Sequence, residues 1–493
     1  MQYPREPLFR IIDAAAIEKI LETAYALLQK PGFKVYNDRA IKIFEEGGCE
    51  VNHETRIVKI PRSLVEWAIR ETPRTFTLHN LQGEAQAPLE SNRFHPYPGT
   101  TAIGVYDFKK RLFREAMTSD LKQFLKVVSH LPFIKLQSAF ICNDVPENFT
   151  DIYRLAVHLK YTNKPIKTSV FTTKDSISVM KELLFAVSGG EDAHAEKPIG
   201  FVSVNCDPPF MWNDFITEVL IECAASKIPL SRGSMPISGA AAPVTLIGAV
   251  IQHAAESMSS IVLSQLVRPG APGLYGSSPI IFDIRKGTTP MGAIETHMFN
   301  SAVAQVGKFL QIPTHLYLGL TDAKCIDAQA GFEAAMGILI GALSGANLFA
   351  VGMMNFETAL SPENIVIANE ICGMAERLVS GIGYAPSDFS TAVWEEVGHT
   401  QGFIQSLHTI KNFKQEQFKV SDVVDRSNLD DWIARGSKDC AERAHGIVQD
   451  ILSRETPKTV TPQVEEEIDR IVLDYAKHLG IPKERIPRDF FEN

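Results

Sequence analysis

Several signatures of common chemistry are missing from this sequence. Its seven cysteines (49, 142, 206, 223, 325, 372 and 440) are odd in number, and no two lie within three residues of each other. That excludes CxxC zinc ribbons and iron–sulfur runs, and favours a reducing compartment. No HExxH or HxH spacing occurs among the 13 histidines, and no GxSxG elbow surrounds a serine. Neither GxGxxG nor GxxxxGK[ST] follows a strand-like run, so a phosphate cradle is lacking. A Lys/Arg-rich stripe is lacking too. The chain carries 49 Lys+Arg against 58 Asp+Glu, a net charge of −9, which argues against nucleic acid and anionic membrane surfaces. The N-terminus reads without a secretory signal, and a cytoplasmic protein is expected. The uncharged stretch Ala334 to Met354 is broken by glycines. It reads as a small-residue helix followed by a short strand, not a membrane span.

What is present is length and rhythm. The 493 residues are 45% apolar, enough for a large core. Residues 1–98 read as an α+β extension. It has helices over Asp13–Leu28, Tyr36–Glu46 and after Pro61, and a strand over Val51–Ile60 that turns near His53–Thr55. Residues 99–420 alternate short β-branched runs with longer helical patterns. Strands are expected at Phe133–Cys142, Lys164–Phe171, Pro198–Asn205, Ile228–Met235, Gly273–Ser277, Thr314–Leu320 and Asn347–Gly352. An eighth is expected near Gly402–His408 or before Phe133. Seven or eight βα units predict a (β/α)8 TIM-type barrel. Residues 421–493 read as a C-terminal helical region packed on it.

Chemistry in such a barrel sits at the strands' C-terminal ends. Those ends carry Asn143-Asp144, Thr172-Thr173, Asn205-Cys206-Asp207, Tyr275-Gly276-Ser277, Thr321-Asp322 and Asn355-Phe356-Glu357. Amides, carboxylates and aromatics dominate, and Lys and Arg are nearly absent. That mouth suits a cation better than a phosphate. Capping of the following helix and core packing are the competing explanations for each residue.

Long ordered stretches go further. SMPISGAAAPVTLIGAVIQHAAE (Ser234 to Glu256), RPGAPGLYG (Arg268 to Gly276), TDAKCIDAQAGFEAAMGILIGALSGAN (Thr321 to Asn347), HTIKNFKQEQF (His408 to Phe418) and DRSNLDDWIARG (Asp425 to Gly436) resemble the trimethylamine methyltransferase superfamily. The N-terminal order of helices, with IPRSLVEWAI (Ile60 to Ile69), does so too. The resemblance spans nearly the whole chain. It implies a barrel that moves a methyl group from a methylated amine to the cobalt of a separate corrinoid protein. Founding members carry pyrrolysine. Only the twenty standard residues occur in this sequence, which resembles the non-pyrrolysine branch acting on glycine betaine, proline betaine and carnitine.

A quaternary ammonium already bears its positive charge, so the departing amine leaves neutral and needs no zinc. No metal site and no cofactor bound by this chain are expected. The corrinoid (cobalamin) rides on a partner, and the chain alone should be colourless. On this reading Asp322 and Glu357 are the carboxylates facing the cation. Tyr97, Tyr275, Phe282 and Phe356 are candidates for a cage around the N-methyls. His95, Asn205 and His408 are candidates for binding a substrate carboxylate. If residues 356 and 357 are extended, only one faces inward, and Phe356 is expected there. Two alternatives stay open: a zinc-dependent corrinoid methyltransferase for methanol or methoxy compounds, and a non-catalytic betaine-binding barrel. Self-association is expected, with the C-terminal helix Val464–Leu479 offering docking surface.

Overall fold

A computed structural model describes residues 8–99, 101–399, 402–455 and 459–491. The N-terminal extension follows its local signals. The Asp13 carboxylate accepts from the Ala16 N–H at 2.7 Å and starts a helix over Ala14–Gln29. The run around His53 folds into the hairpin Glu50–Asn52 and Ile57–Lys59. Beyond Pro61 the helix Arg62–Glu71 forms as expected.

Seven parallel strands make the central sheet: β1 (His95–Pro98), β2 (Ile166–Thr168), β3 (Gly200–Cys206), β4 (Leu230–Ser234), β5 (Gly273–Ser277), β6 (Thr314–Gly319) and β7 (Leu348–Val351). Their spatial order is β1-β7-β6-β5-β4-β3-β2. Each β strand sits beside its sequence neighbour except β1, which closes against β7 with Tyr97 opposite Ala350. Five of the strands, β3 to β7, are followed by the helices α1 (Asp214–Ala225), α2 (Leu246–Val267), α3 (Ile294–Phe309), α4 (Ala328–Leu343) and α5 (Pro362–Val379). The wall is tight where backbones approach. A Cβ at Gly233 would lie 1.3 Å from the Gly276 carbonyl oxygen, so only glycine fits there.

One strand expectation is corrected, and the choice left open for the eighth strand is decided. Residues 133–142 form no regular strand. They touch both outer strands at single points: Lys135 N–H donates to Pro96 O and Gln137 N–H to Pro165 O, each at 2.8 Å. The cause lies in β1, whose sequence is His-Pro-Tyr-Pro. Its N–H groups at His95 and Gly99 are directed at β7, and the intervening prolines have none to offer on the other side. The sheet is therefore a curled seven-stranded one with an irregular segment beside it. The segment before Phe133 supplies the extra strand, β1. Gly402–His408 does not, being a short 3-10 turn and the start of helix α6 (Leu407–Glu416).

The stretch Ala334 to Met354 is the end of α4 followed by β7, as read. Among the described helices, α2 is long and apolar enough to cross a membrane, but it is mostly buried against the sheet. The C-terminal helix α7 (Pro462–His478) corrects another expectation. Ile468, Ile471, Val472 and Tyr475 bury its apolar face within the chain, and Tyr475 OH bonds Thr173 Oγ1 at 2.8 Å. It is packed rather than offered for docking.

Candidate functional site

Strand alternation sets the interior. In β6 (Thr-His-Leu-Tyr-Leu-Gly) His315 and Tyr317 share one face, two residues apart. His315 Nε2 lies 2.6 Å from Tyr97 OH, and its Nδ1 lies 2.6 Å from Ser231 Oγ. Burial, with the charge of Lys167 nearby, holds the His315 pKa well below the ordinary 6.5. The ring is neutral, so one nitrogen donates while the other accepts. The Tyr97 and Tyr317 rings meet edge-on, with centroids 6.4 Å apart. Phe201 on β3 sets its ring edge-on to Tyr97 (6.2 Å) and His315 (5.1 Å). An aromatic and hydroxyl-lined interior, the chamber, thus links the inner faces of β1, β3, β4 and β6.

Two opposite charges enter it. Lys167 on β2 is level with Phe201 in the strand register and 5% exposed. Burial, with the Arg154 charge adding to it, lowers its pKa to about 7. Glu357 comes from the loop after β7. Burial raises its carboxyl pKa to about 8, partly offset by Lys167. The same carboxyl raises the pKa of Tyr97 and Tyr317, which puts it within electrostatic reach of both hydroxyls, on the loop that leaves the end of β7. Its loop is strained: Asn355, Phe356 and Glu357 have φ of 50°, 55° and 67°, a conformation that non-glycine residues avoid. Asn355 Nδ2 donates to Thr358 Oγ1 at 2.8 Å, and Thr358 Oγ1 to Asn355 O at 2.6 Å, which helps to hold the turn. Farther along the inner face of β3, Ser203 Oγ and Asn205 Oδ1 are buried without a hydrogen-bond partner. Ser203, Asn205 and Glu357 keep partial exposure, so solvent reaches this end.

Of the residues expected at the site, Tyr97, Asn205 and Glu357 face this chamber. The others lie elsewhere. His95 is two residues below Tyr97, toward the strands' N-terminal ends, where its Nε2 bonds Pro88 O at 2.8 Å. Tyr275 points out of the sheet against His253 of α2, with ring centroids 5.4 Å apart. Phe282 lies beyond β5, directly after the two-residue strand Ile280–Ile281, its N–H bonded to Ser238 O. Asp322 is consumed structurally, accepting from the Met291 and Gly292 N–H groups at 2.8 and 3.0 Å. His408 is exposed on α6 and bonds Asn412.

The alternation expected at 356 and 357 is reversed. Glu357 faces the chamber, while the Phe356 ring carries Lys324 Nζ 3.6 Å from its centroid. Successive side chains alternate only in extended backbone, and these residues are left-handed.

Lys167, His315, Tyr317, Phe201 and Ser231 were not anticipated. The signal existed: charged or polar residues inside runs that read as buried parallel strands, where apolar residues are the rule. Attention to strand ends alone passed over them. Among the described residues, no three His, Cys, Asp or Glu side chains converge as a metal would require.

Sequence comparison places this geometry. The family model for trimethylamine methyltransferase (MTTB) matches residues 2–479. The chain belongs to the trimethylamine methyltransferase family, on the branch without pyrrolysine. It is 30% identical over 464 residues to trimethylamine methyltransferase MttB of Desulfitobacterium hafniense (strain DSM 10664 / DCB-2), covering 93% of this chain and 92% of the relative. It is 27% identical over 478 residues to the glycine betaine methyltransferase of Desulfitobacterium hafniense (strain Y51), covering 96% and 98%. Among solved structures it is similar to the Methanosarcina barkeri monomethylamine methyltransferase, with a TM-score of 0.40, 12% identity and 95% of each chain covered.

Proposed function

We propose that this methyltransferase moves a methyl group from a quaternary amine, glycine betaine or a related betaine, to the Co(I) of a separate corrinoid protein. The observation that carries the reading is the Glu357 carboxyl within electrostatic reach of a chamber lined by Tyr97, Tyr317 and Phe201. Ring faces attract a cation that has no N–H to donate, and its charge favours ionisation of the Glu357 carboxyl, whose pKa of about 8 otherwise keeps it protonated at pH 7. In the reaction one N–CH3 bond breaks and one Co–CH3 bond forms. The metal supplies the electron pair for the new bond, and the old bonding pair stays on nitrogen, releasing a neutral tertiary amine. This chain's share is positioning: one N-methyl is turned toward the open mouth and water is displaced from the rest. Because the substrate's charge is discharged during transfer, Glu357 holds the ground state more tightly than the transition state. It governs binding rather than the chemical step.

The test mixes the purified chain with glycine betaine and Co(I) cobalamin and follows the methylcobalamin spectrum. Methylcobalamin growing with enzyme concentration supports the proposal. Betaine binding without any transfer would favour a binding barrel instead, and zinc at one per chain would favour the methanol-type chemistry.

We also infer self-association through the segment after α5. Trp394 is 59% exposed, Ile404 81%, Leu407 62% and Ile410 58%, an apolar density unusual for a surface free of partners. Glu395 and Glu396 flank Trp394, whereas Lys411 and Lys414 flank Ile410 and Phe413. Two copies related by a twofold axis would set the short acidic helix Ala392–Val397 of one on the basic helix α6 of the other, twice. A light-scattering mass of a single 54.5 kDa chain would overturn this.

A further inference from the structure

Lys167 is the charge in the chamber that the proposed reaction leaves without work. It sits on β2 opposite Phe201, whose ring touches Tyr97 and His315, so its side chain shares the inner face. Glu357 is the acid that acts on it favourably, and Arg154 is the base that acts against it. Yet no hydrogen bond joins Lys167 Nζ to any described residue, and no ion pair within 4.0 Å joins it to Glu357. Arg154 is occupied elsewhere, donating to Thr101 Oγ1 at 3.2 Å and Ser169 O at 3.3 Å. On the neighbouring strand, Ser203 Oγ and Asn205 Oδ1 are also buried without partners. Lys167 Nζ, Ser203 Oγ and Asn205 Oδ1 thus put three polar groups without a partner among the described residues on one inner face, with the Glu357 carboxyl acting on the first of them.

We propose that Lys167, with Ser203 beside it, is the anchor for a substrate carboxylate, and that the ligand is a zwitterion spanning from Lys167 to Glu357. The inference rests on the quaternary-amine reading above. A single methylene separates the two charges of glycine betaine, so its carboxylate meets Lys167 while its ammonium meets Glu357 and the rings. Choline and tetramethylammonium offer the cation alone. They would leave Lys167 buried and unpaired, which is how a polar site rejects an analogue lacking the matching group.

The experiment titrates glycine betaine and choline into the full-length chain and into Lys167→Met and Lys167→Arg by calorimetry. The wild type should bind betaine at least ~30-fold more tightly than choline. Lys167→Met should weaken betaine about 30-fold and change choline less than about 3-fold, while Lys167→Arg keeps the preference for betaine. Melting curves of both variants establish that they fold, and Lys167→Arg retains the charge if Lys167→Met does not. Equal affinities of the wild type for the two ligands, an unchanged betaine affinity in Lys167→Met, or a parallel loss for choline would each overturn the anchor. Methyl transfer from choline and betaine alike would overturn the anchor but leave the transfer reading standing. Lys167-dependent betaine binding without transfer would do the reverse.

Discussion

Buried lysines lie both at the N-terminal edge of the sheet and within a strand, and the contrast between the two places is instructive. At the strands' N-terminal ends, Lys164 Nζ donates to the carbonyls of Val128, Leu131 and Ile134 at 2.6, 2.7 and 2.5 Å. Lys308 Nζ donates to Ser91 O and Asn347 Oδ1 at 2.5 and 2.6 Å. Lys167, one turn of pleat further along β2, has an Nζ that donates to no described residue. Burial brings all three to a pKa of about 7. A lowered pKa therefore reports burial and says nothing of purpose. Satisfaction does. The first two lysines tie loops to the sheet, and the third faces a chamber. A cavity of about 930 Å³ does lie at the N-terminal end, lined by Ser91, Lys308, Pro313 and Asn347. Its lysine is already engaged, and in parallel α/β sheets ligands bind beyond the strands' carboxyl ends. We therefore place the chemistry at the chamber rather than at this cavity.

The contrast breaks most directly at the lysines. Lys164→Met leaves three carbonyls without their donor and should destabilise the chain by ~3 kcal/mol or more. Lys167→Met removes a buried, unpaired amine and should leave the melting temperature unchanged or raised at pH 7. Equal losses in thermal melts of the two variants would erase the distinction. Next in size, Glu357→Gln should raise the KM for betaine ~30-fold and change kcat by less than ~3-fold, since a ground-state attraction is what is lost. Initial rates of methylcobalamin formation over a betaine series check this. A fall in kcat at constant KM would make Glu357 a participant in the step.

A smaller effect concerns stability and pH. The Glu357 carboxyl is raised from 4.5 to about 8 in the folded chain. Between those values the folded state holds a proton that the unfolded state has released. Stability contributed by this group is complete below about pH 4.5 and is lost as pH rises through 8. Glu357→Gln should therefore melt about 2 °C above the wild type at pH 8.5 and with no difference at pH 5. A gap that is the same at both pH values would mean that Glu357 is not buried as a neutral acid.

Much of this architecture was legible in local patterns. Asp13, Pro61 and the turn at His53 mark their elements by capping, fixed φ and hairpin chemistry. Six of the seven sheet strands stand out as β-branched runs between helices. The seventh, His-Pro-Tyr-Pro, hides because proline removes the donors that a strand normally needs. The site was legible only in part. Type and place single out Tyr97, Asn205 and Glu357, and the structure puts Tyr97 and Asn205 on the inner side of the sheet. Tyr275 was misassigned because strand phase decides which face a side chain takes, and nothing near residue 275 fixes that phase locally. Lys167 and His315 lie within strands, where only the three-dimensional register shows that they meet.

The smallest prediction concerns Phe356, the residue favoured from sequence. Its ring face is already covered by Lys324 Nζ at 3.6 Å. Lys324 is held in turn by its bond to Asp322 O, and Asp322 fixes the Met291–Gly292 turn. A ring so occupied has no face left for a substrate ammonium. Partly exposed cation–π pairs contribute only ~0.5–1 kcal/mol. Phe356→Ala should therefore weaken betaine binding less than ~3-fold, the residual loss coming from looser support of the strained turn that presents Glu357. Lys324→Met uncovers the ring without removing it. If Phe356 were a latent cage wall, that variant would bind betaine more tightly and Phe356→Ala would bind it more than ~10-fold more weakly. Titrations of the two variants separate these outcomes. A small effect in both leaves Glu357 as the residue through which this loop reaches the cation, with Phe356 acting only on the backbone that carries it.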